Sequence, residues 1–335
     1  MAEDKVISRI GKLPELVLER SVLKQVRHRR PEVLKGPGVG IDCAAVTLGE
    51  DEALVLSSDP VTGTKEELGR HCIHVTANDL AAAGAEPIGV MLTALLPPGI
   101  TEQKIREIVR DAEETCASLH MEMMGGHTEI TGIVSRPLIS VTGVGRICRT
   151  RMLSAENIRP GMDLVISKWV GLEATAILAK AHETELRKRF SEEFVRRMQD
   201  CGKWISVLPE ARIAMEHGVT AMHDITEGGV FGALWEMAEA GRTGLEADAR
   251  LIPVRQETVE LCEFFGLNPY QSMSSGALLM VTEDGEGLVQ ALEAEGIPAT
   301  VVGRTTEGND RILRNREEVR FLERPQADEI YKVNR

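Results

Sequence analysis

Aromatic side chains are scarce in this 335-residue chain, at 3% of residues. A core must therefore be assembled from Leu, Ile, Val, Ala and Met. No basic excess exists either: 39 Lys and Arg stand against 52 Asp and Glu, a formal charge of -13. A nucleic-acid binder needs a basic face to neutralise phosphates, so that partner class is excluded. Small anions are not, because backbone amides or a bound metal can hold them against the global sign. No apolar run approaches the ~20 residues that span a bilayer. The start Met1-Ala2-Glu3-Asp4-Lys5 is charged where a secretory leader would be apolar, so a cytoplasmic protein without a membrane segment is expected. The six cysteines, at 43, 72, 116, 148, 201 and 262, form no C-x-x-C pair, which removes zinc-ribbon and thioredoxin-like readings. They are expected to be mostly small buried hydrophobes in a reducing compartment. Also missing are a G-x-x-x-x-G-K-[ST] P-loop, a strand-linked G-x-G-x-x-G and a G-x-S-x-G elbow.

What is present is a globular pattern, 43% hydrophobic and 27% charged. Residues 15–26 are expected to form an amphipathic helix, followed by the irregular Gly/Pro segment 35–40. Strands are expected at 44–48, 53–58, 88–96, 137–147, 163–167, 219–222, 277–282 and 299–302. Helices are expected at 71–83, stopped by Gly84, and from Thr101 onward, where Ile105, Ile108, Val109, Ala112, Cys116 and Leu119 share one face. Further helices are expected after Gly171, at 187–197 and at 229–239. The register changes near Pro160-Gly161, so two domains are expected, 1–157 and 158–335.

Acid recurs at the edges of the apolar segments. Asp42 follows the glycine-rich segment, Asp59 ends a strand, Asn78-Asp79 lies in an Ala-rich helix, and Asp224 follows a strand. Carboxylates at strand ends beside open glycine loops suit Mg²⁺ and polyphosphate: hard oxygens hold the metal, and glycine lets amides approach the anion. Each Asp taken singly also fits a turn or a cap. Asp79 is harder to explain that way, since its neighbours 80–83 read as buried. Gly125-Gly126-His127-Thr128-Glu129 places a glycine turn beside groups able to bond phosphate or metal. Asp224-Ile225-Thr226-Glu227-Gly228-Gly229 precedes a helix whose N-terminal amides favour an anion, although Thr226 as a plain N-cap explains part of it. His127 and His223 each suit a general base, a ligand or a structural role.

As an ordered set these segments resemble the aminoimidazole ribonucleotide (AIR) synthase superfamily, with its PurM-like fold. The resemblance rests on residues 40–46, 58–59, 77–80 with 84–87, 125–128, 171–175, 223–229 and 274–278, and runs from about 36 to about 305. Within the superfamily it is nearest to the hydrogenase-maturation HypE-like branch and to AIR synthase-related proteins. The resemblance implies an α+β fold: an N-terminal α/β domain lending strands to a β-barrel across a homodimer, then a C-terminal α+β domain. It implies ATP and Mg²⁺ between the domains, and phosphorylation of a carbonyl- or amide-type oxygen with phosphate release. By position it makes Asp42, Asp59, Asp79 and Asp224 metal-binding. It makes Lys35, Gly38, Gly40, Asn78, Gly125, Gly126, Thr128, Gly228 and Gly229 nucleotide-binding, and His127 and Asp79 catalytic.

Departures are visible too. Ile41 stands where the family's first Asp is found, and His127 replaces an Asp. The last cysteine is Cys262, so the terminal thiol of the dehydratase branch has no counterpart. Three readings follow: an ATP-dependent enzyme acting on a small or protein-bound carbamoyl- or amide-type group, a nucleotide-binding scaffold without efficient turnover, and a maturation factor relying on a partner's thiol.

Overall fold

The computed structural model describes residues 15–16, 33–35, 38–41, 44–47, 49–61 and 67–333. Asp42 and most of the expected helix 15–26 lie outside the described residues. Two mixed sheets carry the fold. The first is ordered β1-β2-β3-β6-β4-β5, from β1 (Val33–Lys35), β2 (Ala44–Thr47), β3 (Glu52–Val61), β4 (Glu86–Leu96), β5 (Glu122–Ile130) and β6 (Leu138–Cys148). Only the β4–β5 pair is parallel. The second sheet is ordered β13-β12-β9-β11-β7-β10-β8, from β7 (Asp163–Ser167), β8 (Ala221–Asp224), β9 (Gly244–Asp248), β10 (Leu278–Thr282), β11 (Ala299–Thr306), β12 (Arg311–Asn315) and β13 (Glu318–Phe321), with β9 paired parallel to β12.

The strands form where β-branched and aliphatic residues alternate. In β3, Ala53, Val55, Ser57 and Val61 are buried while Glu52, Ser58 and Pro60 are exposed, the period-2 pattern of a half-covered sheet. Two helices lie against the first sheet, α1 (Leu68–Ala82) and α2 (Glu102–Ser118). Thr101 caps α2, its hydroxyl accepting the Lys104 amide at 3.2 Å. The two helices cross so closely that a Cβ on Gly69 would sit 2.0 Å from the Ile108 carbonyl oxygen. Gly84, at φ +79°, ends the first helical segment as expected.

Helix α1 is not a surface helix. Twelve of its 15 residues are buried, because one side packs on β3 and β6 and the other on the second half of the chain. Asn78 sets that second contact. Its Nδ2 donates to the Ile205 carbonyl at 2.8 Å, and its Oδ1 accepts the Val207 amide at 2.9 Å. The same loop is held from the other side by Lys168, whose Nζ donates to the carbonyls of Trp204 (3.0 Å) and Ser206 (2.6 Å). Lys168 is itself buried and ion-paired with buried Glu210 at 2.7 Å. Burial pulls the Lys168 amine below its ordinary range, and Glu210 opposes that shift.

In the second half, helix α7 (Gly229–Gly241) packs its Leu234, Trp235 and Ala238 into the largest core cluster. Preceding it are α3 (Leu172–Ala181), α4 (Glu183–Leu186), α5 (Glu192–Gln199) and α6 (Leu208–His217); α8 (Gln256–Phe265) and α9 (Gly285–Ala294) follow. The expected single helix over 187–197 is instead interrupted: Ser191 caps α5 afresh, accepting the Phe194 amide at 3.2 Å. All 11 aromatic residues lie beyond residue 168. The core under the first sheet therefore holds no aromatic ring among the described residues and is built from side chains such as Ile73, Val90, Leu92, Ile139 and Val141, with Cys72, Cys116 and Met121. No helix among the described residues is long and apolar enough to cross a membrane.

Candidate functional site

Two of the expected acids meet. Asp59 lies near the end of β3 on its helix-facing side, and Asp79 lies on α1. Between them stands Ser57, whose hydroxyl is 3.1 Å from an Asp59 oxygen and closely hydrogen-bonded to Asp79. Asp79 and Ser57 are buried, and Asp59 is half-buried. Two carboxylates from separate elements thus share one hydroxyl. Ser57 was not singled out from the sequence, though it immediately precedes the Ser58-Asp59 motif.

The glycine pair lies on the same sheet but forms no turn. Gly125 and Gly126 belong to the edge strand β5, with φ of +152° and +147°. Glycine is required by the neighbour: a Cβ on Gly126 would come within 1.9 Å of the Leu92 carbonyl oxygen. A one-residue irregularity in pairing between Val90 and Met91 accompanies it. Asp59 pairs with Val141, Val141 with Leu92, and Leu92 with Gly126. Asp59 and Gly126 thus share one cross-strand row, three strand spacings or about 14 Å apart. His127 and Thr128 follow on the exposed edge, and the His127 ring contacts Glu129 at 3.3 Å. Gly126→Ala is expected to open the β4–β5 ladder; amide hydrogen exchange at 123–130 should rise at least ~10-fold while the second sheet keeps its protection.

Asp224 ends β8 (Ala221–Asp224) and is buried beside His223, whose Nε2 is 3.0 Å from Glu236 of α7. The Gly38–Ile41 segment closes on that helix. Gly40, at φ +65°, lies so near the Glu236 carbonyl that a Cβ would be 2.9 Å from its oxygen. Lys35 is at the end of β1, paired with Ala45.

The motifs of the second half also converge. Ser274 accepts the Gly171 amide at 2.7 Å, and buried Glu173 accepts the Ser275 amide at 3.2 Å. Glu173 also pairs with His71 of α1 at 2.9 Å, a second tie between the halves. The Gly228 amide donates to the buried Asp328 carboxylate at 2.8 Å, and Gly229 abuts the backbone of Tyr270 and Gln271. Burial pushes the Asp328 carboxyl up to about 7, against the pull of its backbone donors. A carboxylate from the chain itself thus meets the start of α7, and Asn78 spends its amide on the 205–207 loop of the second half. Neither role was foreseen from sequence; nothing near Asp328 resembles a motif.

Among the described residues no three His, Cys, Asp or Glu side chains are arranged to hold a metal ion. Mg²⁺ seldom needs so many: one or two carboxylates plus substrate phosphates are its usual protein-side ligands. The Asp59–Asp79 pair fits that donor set. Cys72, Cys116, Cys201 and Cys262 are buried, and burial pushes their thiols up to about 12, 11, 12 and 12. Cys148 is exposed at the far end of β6, paired across from Glu52.

Comparison with known proteins agrees across both halves. Residues 40–147 match the N-terminal domain of AIR synthase related proteins, and residues 159–314 match their C-terminal domain. A putative hydrogenase expression/formation protein of Methanocaldococcus jannaschii is 26% identical over 289 residues, 82% of this chain and 84% of that protein. The carbamoyl dehydratase HypE of Rhodobacter capsulatus is 28% identical over 251 residues, 73% of this chain and 72% of that protein. Among solved structures, a HypE–HypF complex superposes with a TM-score of 0.74 at 18% identity, covering 92% of this chain and 99% of that one. HypE in complex with ATP gives 0.71 at 19% identity, covering 94% and 96%. These likenesses establish a mixed α+β fold of the PurM-like kind.

Proposed function

The chain belongs to the AIR synthase related proteins in both of its halves, and on that premise we propose that it is an ATP- and Mg²⁺-dependent enzyme that phosphorylates a carbonyl- or amide-type oxygen. The observation that carries the reading is the Asp59–Ser57–Asp79 cluster, two carboxylates from separate elements around one hydroxyl. Asp59 and Asp79 would hold Mg²⁺, with Asp224 and Asp42 as the further acids assigned by the resemblance. When bound, the metal supplies charge neutralisation on the phosphates. The backbone of Gly125 and Gly126, free of side chains, can lie against an anion, and the Gly38–Gly40 segment reaches over to α7 beside His223 and Asp224. In the reaction the bond from the γ-phosphorus to ADP breaks and one to the substrate oxygen forms. That oxygen then leaves as phosphate while the carbon gains its new bond.

The names of the relatives support a carbamoyl- or amide-type substrate. A partner-borne thiol is favoured by one observation: four of the five described cysteines are buried with raised thiol pKa, and the fifth lies far from Asp59. The barrel across a homodimer and the division 1–157 and 158–335 belong to the same reading. The barrel is supported by large apolar side chains exposed on β4 and β5 among the described residues, Ile88, Met91, Met124 and Ile130. Isothermal titration is expected to show ATP binding that requires Mg²⁺. Its absence would overturn the reading; binding without phosphate release on any carbamoyl-type substrate would leave a nucleotide-binding scaffold.

A further inference from the structure

The two ends of the second sheet differ. At one end β8 is buried along its whole length, whereas all four residues of β13 at the other end are exposed. Among the described residues no strand lies beyond β13. Its backbone alternates in what it faces. The Leu322 amide donates to the Arg311 carbonyl at 2.8 Å. Bonded residues alternate along an antiparallel strand, so Glu318, Arg320 and Leu322 spend their backbone groups on β12, and those of Val319 and Phe321 turn outward. The side chains of these two are open as well: Val319 is 48% and Phe321 64% exposed, both on the face away from buried Leu313. An edge that shows apolar side chains and outward backbone groups is a template for one more strand.

The order of charges along β13 selects that strand. When two copies of the segment run antiparallel with Val319 on the two-fold axis, Glu318 stands opposite the partner's Arg320, and Arg320 opposite the partner's Glu318. Both pairs are of opposite sign. Val319 meets the partner's Val319, their outward N–H and C=O groups in register to bond each other, and Phe321 reaches diagonally toward the same valine. Moving the axis one residue, to Arg320, would set two arginines face to face. We propose that β13 pairs with the β13 of a second copy of this chain, antiparallel about Val319, joining two second sheets edge to edge. Four residues a side make a small contact, of the weak and concentration-dependent class. The edge is separate from the β4–β5 surface assigned to the barrel, and the proposal does not depend on the nucleotide reading.

The test uses the full-length protein, with sedimentation equilibrium to follow association and amide hydrogen exchange to locate it. Exchange at Val319 and Phe321 should slow at least about threefold from dilute to concentrated protein. Glu318→Arg and Arg320→Glu each set like charges opposite one another twice, and each should weaken this association at least about 10-fold. An equimolar mixture of the two variants should restore it, because every opposed pair is then again of opposite sign. Arg320 also lies over the Phe231 ring at 5.2 Å, so circular dichroism establishes that each variant is folded. Val319→Pro removes an outward N–H and no bond to β12; it should abolish the concentration-dependent protection and takes the place of a reversal variant that fails to fold. Exchange at 319 and 321 that is independent of concentration overturns the proposal. So does association that Val319→Pro leaves unchanged, or a mixture that associates as weakly as each reversal variant alone.

Discussion

Asp79→Asn is expected to weaken Mg²⁺-dependent ATP binding by at least about 100-fold, or ~2.7 kcal/mol, while leaving the melting temperature unchanged or raised. The opposite signs follow from the geometry of one hydroxyl. Ser57 brings the Asp59 and Asp79 carboxylates to one hydroxyl, which sets like charges side by side. A divalent cation relieves that repulsion, and the relief is part of its affinity. Exchanging one carboxylate oxygen for an amide nitrogen keeps the shape, removes the repulsion and supplies a donor toward the remaining acid. The fold gains what the metal loses. Isothermal titration with and without Mg²⁺, set beside a thermal melt, reads both numbers. A variant that loses stability together with binding would make Asp79 a structural residue and remove it from the site.

The second large effect concerns the join between the halves. Glu210→Ala is expected to cost ~3–5 kcal/mol, because it leaves the buried Lys168 ammonium without its counter-charge. The loss should spread beyond the pair. Lys168 also holds the Trp204 and Ser206 carbonyls, and Asn78 grips Ile205 and Val207 from the other side, so loosening one clamp frees the loop against α1. The double replacement Lys168→Met with Glu210→Leu should recover the part of the loss that comes from the uncompensated charge, but not the part carried by the loop, whose Trp204 and Ser206 carbonyls then lose their donor. Urea unfolding monitored by far-UV circular dichroism measures both; equal losses in the single and double variants would contradict the account.

Much of the architecture is legible in the letters where periodicity is strong. The expected strand 163–167 coincides with β7 (Asp163–Ser167), and the cap at Thr101 and the stop at Gly84 are both found. The misses share a cause. Glu122–Ile130 reads as a glycine turn because two glycines interrupt it, yet those glycines are what lets an edge strand lie against Leu92. The interruption over 187–197 is hidden in a charged stretch whose composition suits one helix, while Ser191 starts a new one. At the site, the sequence shows which acids stand at element ends but not which of them meet. Asp59 and Asp79 meet through Ser57, a pairing made by the packing of α1 on β3 and by nothing local. Asn78 reads as part of the same motif as Asp79, but one residue along a helix turns the side chain by about 100°, onto the other half of the chain. Asp328 has no local signal at all; its role comes from a late segment folding back onto the start of α7.

The confinement of every aromatic ring to residues beyond 168 makes the two halves optically unequal. The first sheet and its carboxylate cluster contain no chromophore absorbing near 280 nm, so intrinsic fluorescence of the whole chain is a report from the second half. Trp169 and Trp204, in edge-to-face contact at 5.7 Å, stand beside the Lys168 clamp, whereas Trp235 is buried in α7. An emission change on adding nucleotide would therefore register the seam responding, and a tryptophan introduced into the first sheet would give that half a signal of its own.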